Sequence, residues 1–249
     1  MPFRNVYEDD VMAEAYSKLA FANTYHLAFR DIPELVRAHV QGRRALDFGC
    51  GTGRSTRFLR GLGLEAVGVD ISAQMVEVAR RLDPGGDYRV IGNGDFRSLP
   101  PNGFDLVMSA FTFDNIPTKA WKVALLRGLS GLLAADGRLI NLVSSPDIYI
   151  HEWASFSTRD YPENAFAMAG DLVRIVSMDL EDRRPAIDVL WTDEAYRETY
   201  REASLEVLEV RRPLATGTEP YRWVSETSVA PWVIYVLGRP GTRQWRPPT

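Results

Sequence analysis

Residues 45–59, ALDFGCGTGRSTRFL, constrain the fold more than any other stretch of the chain. A short apolar run passes through an acid, Asp47, three glycines follow at alternate positions, and a helical segment begins near Ser55. Gly49, Gly51 and Gly53 lack Cβ atoms, so the backbone can turn sharply and approach a ligand more closely than other residues permit. A strand feeding a helix through such a loop forms a cradle for a nucleotide-like ligand. The dinucleotide fingerprint places its third glycine three residues after the second. Here that position holds Arg54, and the acid stands two residues before the first glycine. The loop alone leaves a nicotinamide enzyme as a rival reading.

From Arg44 onward, short apolar runs alternate with helical periodicity, the pattern of a doubly wound α/β sheet with helices on both faces. Strands are predicted over 44–48, 66–70, 88–91, 104–110 and 138–143, with a turn at Asp83, Pro84, Gly85 and Gly86 before the third. Pro117 and Thr118 open a helix whose Trp121, Leu125, Leu129 and Leu132 form one apolar face against the sheet. The first forty residues predict two helices, over 10–30 and 33–40. After Val143 the alternation breaks, and Tyr149, His151, Trp153, Phe156, Tyr161 and Phe166 mark a cap. The second half of the cap reads as two strands joined around 181–184. Thr192, followed by Asp193 and Glu194, signals a helix start, because a capping hydroxyl and acids in the first turn suit the positive end of the helix dipole. Ala195, Tyr196, Tyr200 and Ala203 continue it, and strands over 205–210 and 232–237 close the sheet.

This organisation is one domain over 1–249: N-terminal helices in 1–43, a binding core in 44–143, a cap in 144–191, and the last helix and closing strands in 192–239. With 249 residues, 45 % of them apolar, the chain supports one sizeable core and an accessory region. The 29 basic and 33 acidic side chains leave a formal charge of −4, so no overall positive field draws the protein to nucleic acid or anionic lipid. A single cysteine, Cys50, excludes an intramolecular disulfide and reads first as a small packing residue of the loop. The N-terminus lacks the apolar run of a secretory signal, and no segment reaches the ~18 apolar residues that span a bilayer. A cytoplasmic location is the expectation.

Ligands of open α/β sheets bind outside the carboxyl ends of the strands, at the switch point. Polar groups gather there: Asp47 and Gly49, then Asp70, then Asp95 with Phe96, then the stretch from Ser109 to Asn115, then Ser144 and Ser145. Asp70 lies seventeen residues after Gly53, about where a carboxylate accepts ribose hydroxyls; it reads alternatively as a helix cap, a task that Ser72 can perform. The succession DFGCGTG, VGVDIS, GNGDFRSLP, FDLVMSAFTFDNIP and GRLINLVSS resembles the class I S-adenosylmethionine (SAM)-dependent methyltransferases, closely over 44–143 and by architecture beyond.

That resemblance implies a Rossmann-like sheet, mostly parallel with an antiparallel strand near the C-terminus and a cap after the fifth strand, and SAM as cofactor, with S-adenosylhomocysteine as product. Carried over, Gly49, Gly51 and Gly53 would shape the methionine pocket, with Asp47 close by and Cys50 in the loop. Asp70 would hold the ribose, with Ile71 and Met75 following it, and Asp95 would meet the adenine amino group with Phe96 beside the ring. Ser109, Ala110 and Phe111 would line the cofactor near its sulfonium. Tyr16 and Tyr25 are candidates for the methionine end, or else core residues.

A sulfonium is its own electrophile, so the protein supplies alignment and enclosure, and no metal is called for. The three histidines, at 26, 39 and 151, have no metal-ligand spacing. A base is needed only for a protonated acceptor. His151, in the cap, and Asp114, past the fourth strand, are the two candidates. Each has an alternative: a hydrogen-bonded lid histidine, and a cap on the helix after Pro117. The cap aromatics with Trp223 and Trp232 point to an enclosed, partly apolar pocket for a small molecule. Ser109, Ala110, Phe111 and Thr112 stand where base-methylating relatives of this class carry an acid or amide followed by Pro-Pro-aromatic, and basic arrays for phosphate are missing, which disfavours a nucleic-acid acceptor. The expectation is methyl transfer to a small molecule. The alternative is a SAM-binding protein of this fold with other chemistry or a regulatory role. Acceptor identity, the acceptor atom and oligomeric state stay open.

Overall fold

The computed structural model describes residues 21–242. Seven strands form the main sheet in the order β3-β2-β1-β4-β5-β10-β9: β1 Arg44–Phe48, β2 Glu65–Asp70, β3 Asp87–Val90, β4 Phe104–Ala110, β5 Leu133–Ser144, β9 Glu206–Arg211 and β10 Trp232–Gly238. The first five pair in parallel, whereas β10 runs antiparallel to both β5 and β9. The order reverses between β1 and β4, which opens the crevice where ligands bind in such sheets.

Because successive side chains point to opposite faces, each central strand feeds two cores. Ala45, Leu106, Met108, Ile140, Leu142 and Ile234 pack toward α1 (Thr24–Arg30), α2 (Ile32–His39) and α3 (Arg54–Gly61). Their neighbours Leu46, Val107, Leu139, Val143 and Val233 pack toward α5 (Lys119–Leu132) and α6 (Asp193–Glu202). Burial on both faces is why these strands read as apolar runs rather than as alternation. α4 (Ala73–Leu82) packs Val76 and Ala79 against Cys50 and Tyr88 beside β2 and β3.

Helix starts follow their capping residues. The hydroxyls of Ser72, Thr118 and Thr192 accept from the backbone N–H of Met75, Trp121 and Ala195, satisfying donors that the first turn leaves unpaired. Of the helix expected over 10–30, residues 10–20 lie outside the described residues, and α1 begins only at Thr24, after Asn23 with φ +51°. The fifth strand is longer than its apolar core, since Leu133 is buried and pairs with Phe104 before a bulge, so β5 follows directly on α5. Trp121 departs from the expected apolar face; it is 40 % exposed, while Leu125, Leu129 and Leu132 are buried.

Residues between β5 and α6 form a separate antiparallel sheet of β6 (Phe156–Ser157), β7 (Leu172–Ser177) and β8 (Ala186–Val189), preceded by a 3-10 turn at Pro146–Tyr149. The hairpin expected around 181–184 is present, with Leu172 paired to Val189 and Ile175 to Ala186. Its inner face carries Val173 and Ile175 into the same core as α1 and β10, so this small sheet is fastened over the carboxyl edge of the main one.

Gly68, in the middle of β2, is closely packed: a Cβ there would stand 2.7 Å from Thr56 Oγ1, 2.8 Å from the Tyr88 ring and 3.0 Å from Cys50 Sγ. Gly68→Ala should therefore cost about 1–3 kcal/mol through overpacking, read as a fall of several degrees in thermal unfolding midpoint. An unchanged midpoint would contradict this close packing.

Candidate active site

The glycine loop is held to the end of β2 by its own backbone. Gly49 and Cys50 N–H both donate to Val69 O, at 2.8 and 3.0 Å, and Gly51 N–H donates to Asp70 Oδ2 at 2.9 Å. Asp70 Oδ1 accepts from Ser72 N–H at 2.9 Å, so one carboxylate ties the loop to the start of α4. Gly49, Gly51 and Gly53 have φ of +74°, +51° and +80°, a region that disfavours L side chains. At Gly49 a Cβ would also collide with Thr112 at 2.0 Å, whereas at Gly51 it would meet no protein atom within 4 Å.

Beneath the loop, Asp47 is fully buried and its Oδ2 accepts from Ser55 and Thr56 hydroxyls, each at 2.6 Å. Its Oδ1 has no hydrogen-bond partner among the described residues. Burial raises its pKa to about 6, against the pull of those two hydroxyls. Burial likewise raises the pKa of Asp70, opposed by the backbone N–H groups it accepts from.

A cavity of about 540 Å³ opens above this loop and runs under the small sheet. Of the residues read from sequence as cofactor contacts, Gly49, Cys50, Gly51, Asp70, Ile71 and Met75 line one end of it. Ala110, Phe111 and Tyr25 line it further along. Phe111 turns the chain out of β4 with φ +64°, unusual for a non-glycine residue and the kind of strain found beside ligands. Asp47, Gly53 and Ser109 lie behind the wall rather than in it: Gly53 caps α3, and Ser109 is fully buried in β4. Tyr16 lies outside the described residues.

Asp95 and Phe96 are not at this cavity. They line a shallow neighbouring depression that meets it at Asn93, because the chain turns outward after β3 at the Asp95 N–H to Gly92 O bond. There the Arg97 guanidinium, 2.7 Å away, holds the Asp95 carboxyl down at about 2. Phe96 instead packs against α5, its ring occupying the space beside Gly128. His151 is also absent from the cavity wall. The 3-10 turn sends Ile148 and Tyr149 inward, after which Ile150 and His151 turn away, and the imidazole meets the Trp153 ring edge-on at 6.0 Å. Of the cap aromatics, Tyr149 and Phe156 reach the cavity, Trp153 is buried beside it, and Phe166 is 87 % exposed. Trp232 lines the cavity and Trp223 does not.

Asp114 does line the wall, and it does not cap α5, a task taken by Thr118. Ser144 donates to it through N–H at 3.1 Å and Oγ at 2.9 Å, and Tyr196 through its hydroxyl at 3.3 Å. Sequence reasoning missed its neighbour Asp188 on β8, which accepts from the Tyr149 hydroxyl at 3.0 Å and also lines the cavity. Burial drives both carboxyl pKa values upward, and for Asp188 the charge of Asp114 adds to the effect. Lys122, buried behind them, donates to Phe113 O and lies 5.0 Å from the Trp191 ring centroid; burial lowers its pKa to about 8 against the opposing pull of both acids. Asp188 carried no local motif, since only the folding of the hairpin brings it to the end of β4. Arg54, which displaces the third fingerprint glycine, also lines the cavity, with its guanidinium 4.7 Å from the Tyr25 ring centroid.

Residues 45–137 match the family model described as a methyltransferase domain. Among curated proteins, the ubiquinone biosynthesis O-methyltransferase of Burkholderia vietnamiensis is 33 % identical over 139 residues, covering 53 % of this chain and 52 % of the relative. That of Xanthomonas euvesicatoria is 32 % identical over 107 residues, or 41 % and 44 %. The chain thus spans about half the length of the curated relatives it matches. The CcbJ methyltransferase of Streptomyces caelestis superposes with a TM-score of 0.64 at 16 % identity, covering 94 % of this chain and 98 % of that one. A SAM-dependent methyltransferase from Mesorhizobium loti gives 0.59 at 18 %, covering 85 % and 98 %. At such identities the likeness is one of fold. Strand order and the glycine loop agree with the match of the core, residues 45–137, to a methyltransferase domain.

Proposed function

We propose that this protein transfers a methyl group from SAM to a small-molecule acceptor enclosed between the glycine loop and the small antiparallel sheet. One observation carries the reading. A single cavity, of a size usual for small-molecule sites, joins Gly51 and Asp70 at one end to Tyr149, Phe156 and Trp232 at the other. The residues fit the cofactor. Gly51 leaves open the volume that a Cβ would take, and the Asp70 carboxylate lines the same end of the cavity. Bound there, SAM supplies a sulfonium-activated methyl group for in-line attack by a nucleophile.

The chain's own part is placement and enclosure. Asp70 uses one lone pair of each oxygen on Gly51 and Ser72 N–H, leaving others for two ribose hydroxyls. Asp47 steadies the loop from beneath through Ser55 and Thr56. The aromatic walls exclude water from the transfer. Asp114, rather than His151, is the candidate to receive a proton from the acceptor, since it alone of the two lines the cavity. The segment over 144–191 would choose the acceptor. No described helix is long and apolar enough to cross a membrane. The O-methyltransferase relatives support a hydroxyl-bearing or similarly small acceptor.

Calorimetric titration should give binding of SAM and S-adenosylhomocysteine and none of NAD; the reverse preference would overturn the reading. Asp70→Ala should weaken SAM binding by roughly ten- to a hundredfold, the loss of hydrogen bonds to a charged group. Transfer of label from SAM to acceptor should persist in His151→Ala.

The fold favours protonated Asp47, so its contribution to stability is complete below the ordinary carboxylate range and is lost as pH rises through about 6. Urea unfolding should therefore give a stability that declines between about pH 4 and pH 6. Asp47→Asn, which keeps an acceptor for Ser55 and Thr56, should flatten part of that slope. An unaltered slope would show that Asp47 is not the group responsible.

A further inference from the structure

Asp188 presents a half-satisfied carboxylate to the cap end of the cavity. Its Oδ2 accepts from the Tyr149 hydroxyl, the residue is only 8 % exposed, and its carboxylate lines the cavity with Oδ1 as the oxygen left to meet a ligand. A ligand that brings a donor to this oxygen in a largely enclosed site gains a charge-assisted hydrogen bond. Asp114 differs: both its oxygens are engaged, by Ser144 and Tyr196. The cation behind the pair, Lys122, gives its hydrogen bond to Phe113 O rather than to either acid. Two carboxylates thus share one ammonium, which does not bond to either, and a cationic ligand would offset the second carboxylate.

The surrounding walls suit a cation. Trp232 lies 4.8 Å from the Phe111 ring, 5.8 Å from Phe156 and 5.9 Å from Tyr25, centroid to centroid, and all four rings line the cavity. Aromatic faces attract positive charge most strongly where water is excluded. Arg54 already lies over the Tyr25 ring at the side of α1, toward the glycine loop.

We infer that the methyl acceptor carries an ammonium group, and that Asp188 Oδ1 accepts a hydrogen bond from it at the cap end of the cavity. A neutral hydroxyl would satisfy the oxygen without offsetting the second carboxylate, and an acidic acceptor would bring a third acid beside Asp114 and Asp188. The assignment rests on the methyltransferase reading for the acceptor's role, and on Asp188 alone for its charge.

The test uses the full chain near neutral pH, titrated first with S-adenosylhomocysteine and then, in its presence, with phenethylamine, phenethyl alcohol and phenylacetate, which differ in the charge of one terminal group. The amine should bind at least about tenfold tighter than the alcohol, as expected for a charge-assisted bond in a dry site, with phenylacetate weakest. Asp188→Asn should erase the preference for the amine while keeping S-adenosylhomocysteine affinity within about twofold, because the cofactor loop lies at the other end of the cavity. Equal or tighter binding of the alcohol or phenylacetate, absence of amine binding, or a preference that survives Asp188→Asn would overturn the inference. The ranking in the unaltered protein decides the matter even if the variant does not fold. Failure of that protein to bind S-adenosylhomocysteine would instead count against the methyltransferase reading.

Discussion

The attachment of the glycine loop to the tip of β2 governs the rest of the site. Three consecutive backbone N–H groups, of Gly49, Cys50 and Gly51, are taken up by Val69 O and the Asp70 carboxylate, and the same carboxylate reaches Ser72 at the head of the next helix. These bonds fold the loop back over the switch point instead of letting it run straight into α3. The left-handed backbone this demands is available at low cost only to glycine. The cavity floor is therefore a consequence of backbone bonding, with the Asp70 carboxylate as its structural anchor.

A second feature is the polarity buried opposite that floor. Asp114, Asp188, Lys122 and Tyr149 lie together with little or no exposure, a grouping that a core built only for stability would replace with apolar side chains. Ser144, Tyr196 and Tyr149 offset part of the desolvation cost by donating to the acids, and Lys122 adds charge at a short remove. The cost is tolerable because Asp114 and Asp188 border a cavity rather than solid packing. Elsewhere at the sheet edge the same amino acid behaves differently: Asp95 spends its charge on Arg97 in the open.

Much of the core was legible from local pattern. The strands β1 and β4 match their apolar runs residue for residue, and Ser72, Thr118 and Thr192 cap helices as their positions imply, since both features depend on neighbours a few residues away. The hairpin of the cap was readable for the same reason. The outward turn of Asp95 and of His151 was not, because each depends on where the chain goes after a strand or turn ends. Asp188 was invisible as a site residue: nothing in its own segment distinguishes it from an ordinary strand residue, and its partner Tyr149 lies thirty-nine positions away.

The sequence by itself determined the sheet, its glycine loop and the carboxylates Asp47 and Asp70, because backbone conformation and hydrophobic periodicity are encoded within a few residues. Tertiary structure alone decided which polar groups share the cavity. Bringing Asp188 and Tyr149 from the cap to Asp114 at the end of β4, while turning His151 and Asp95 away, depends on long-range packing of one sheet over another, and no short stretch of chain carries that information.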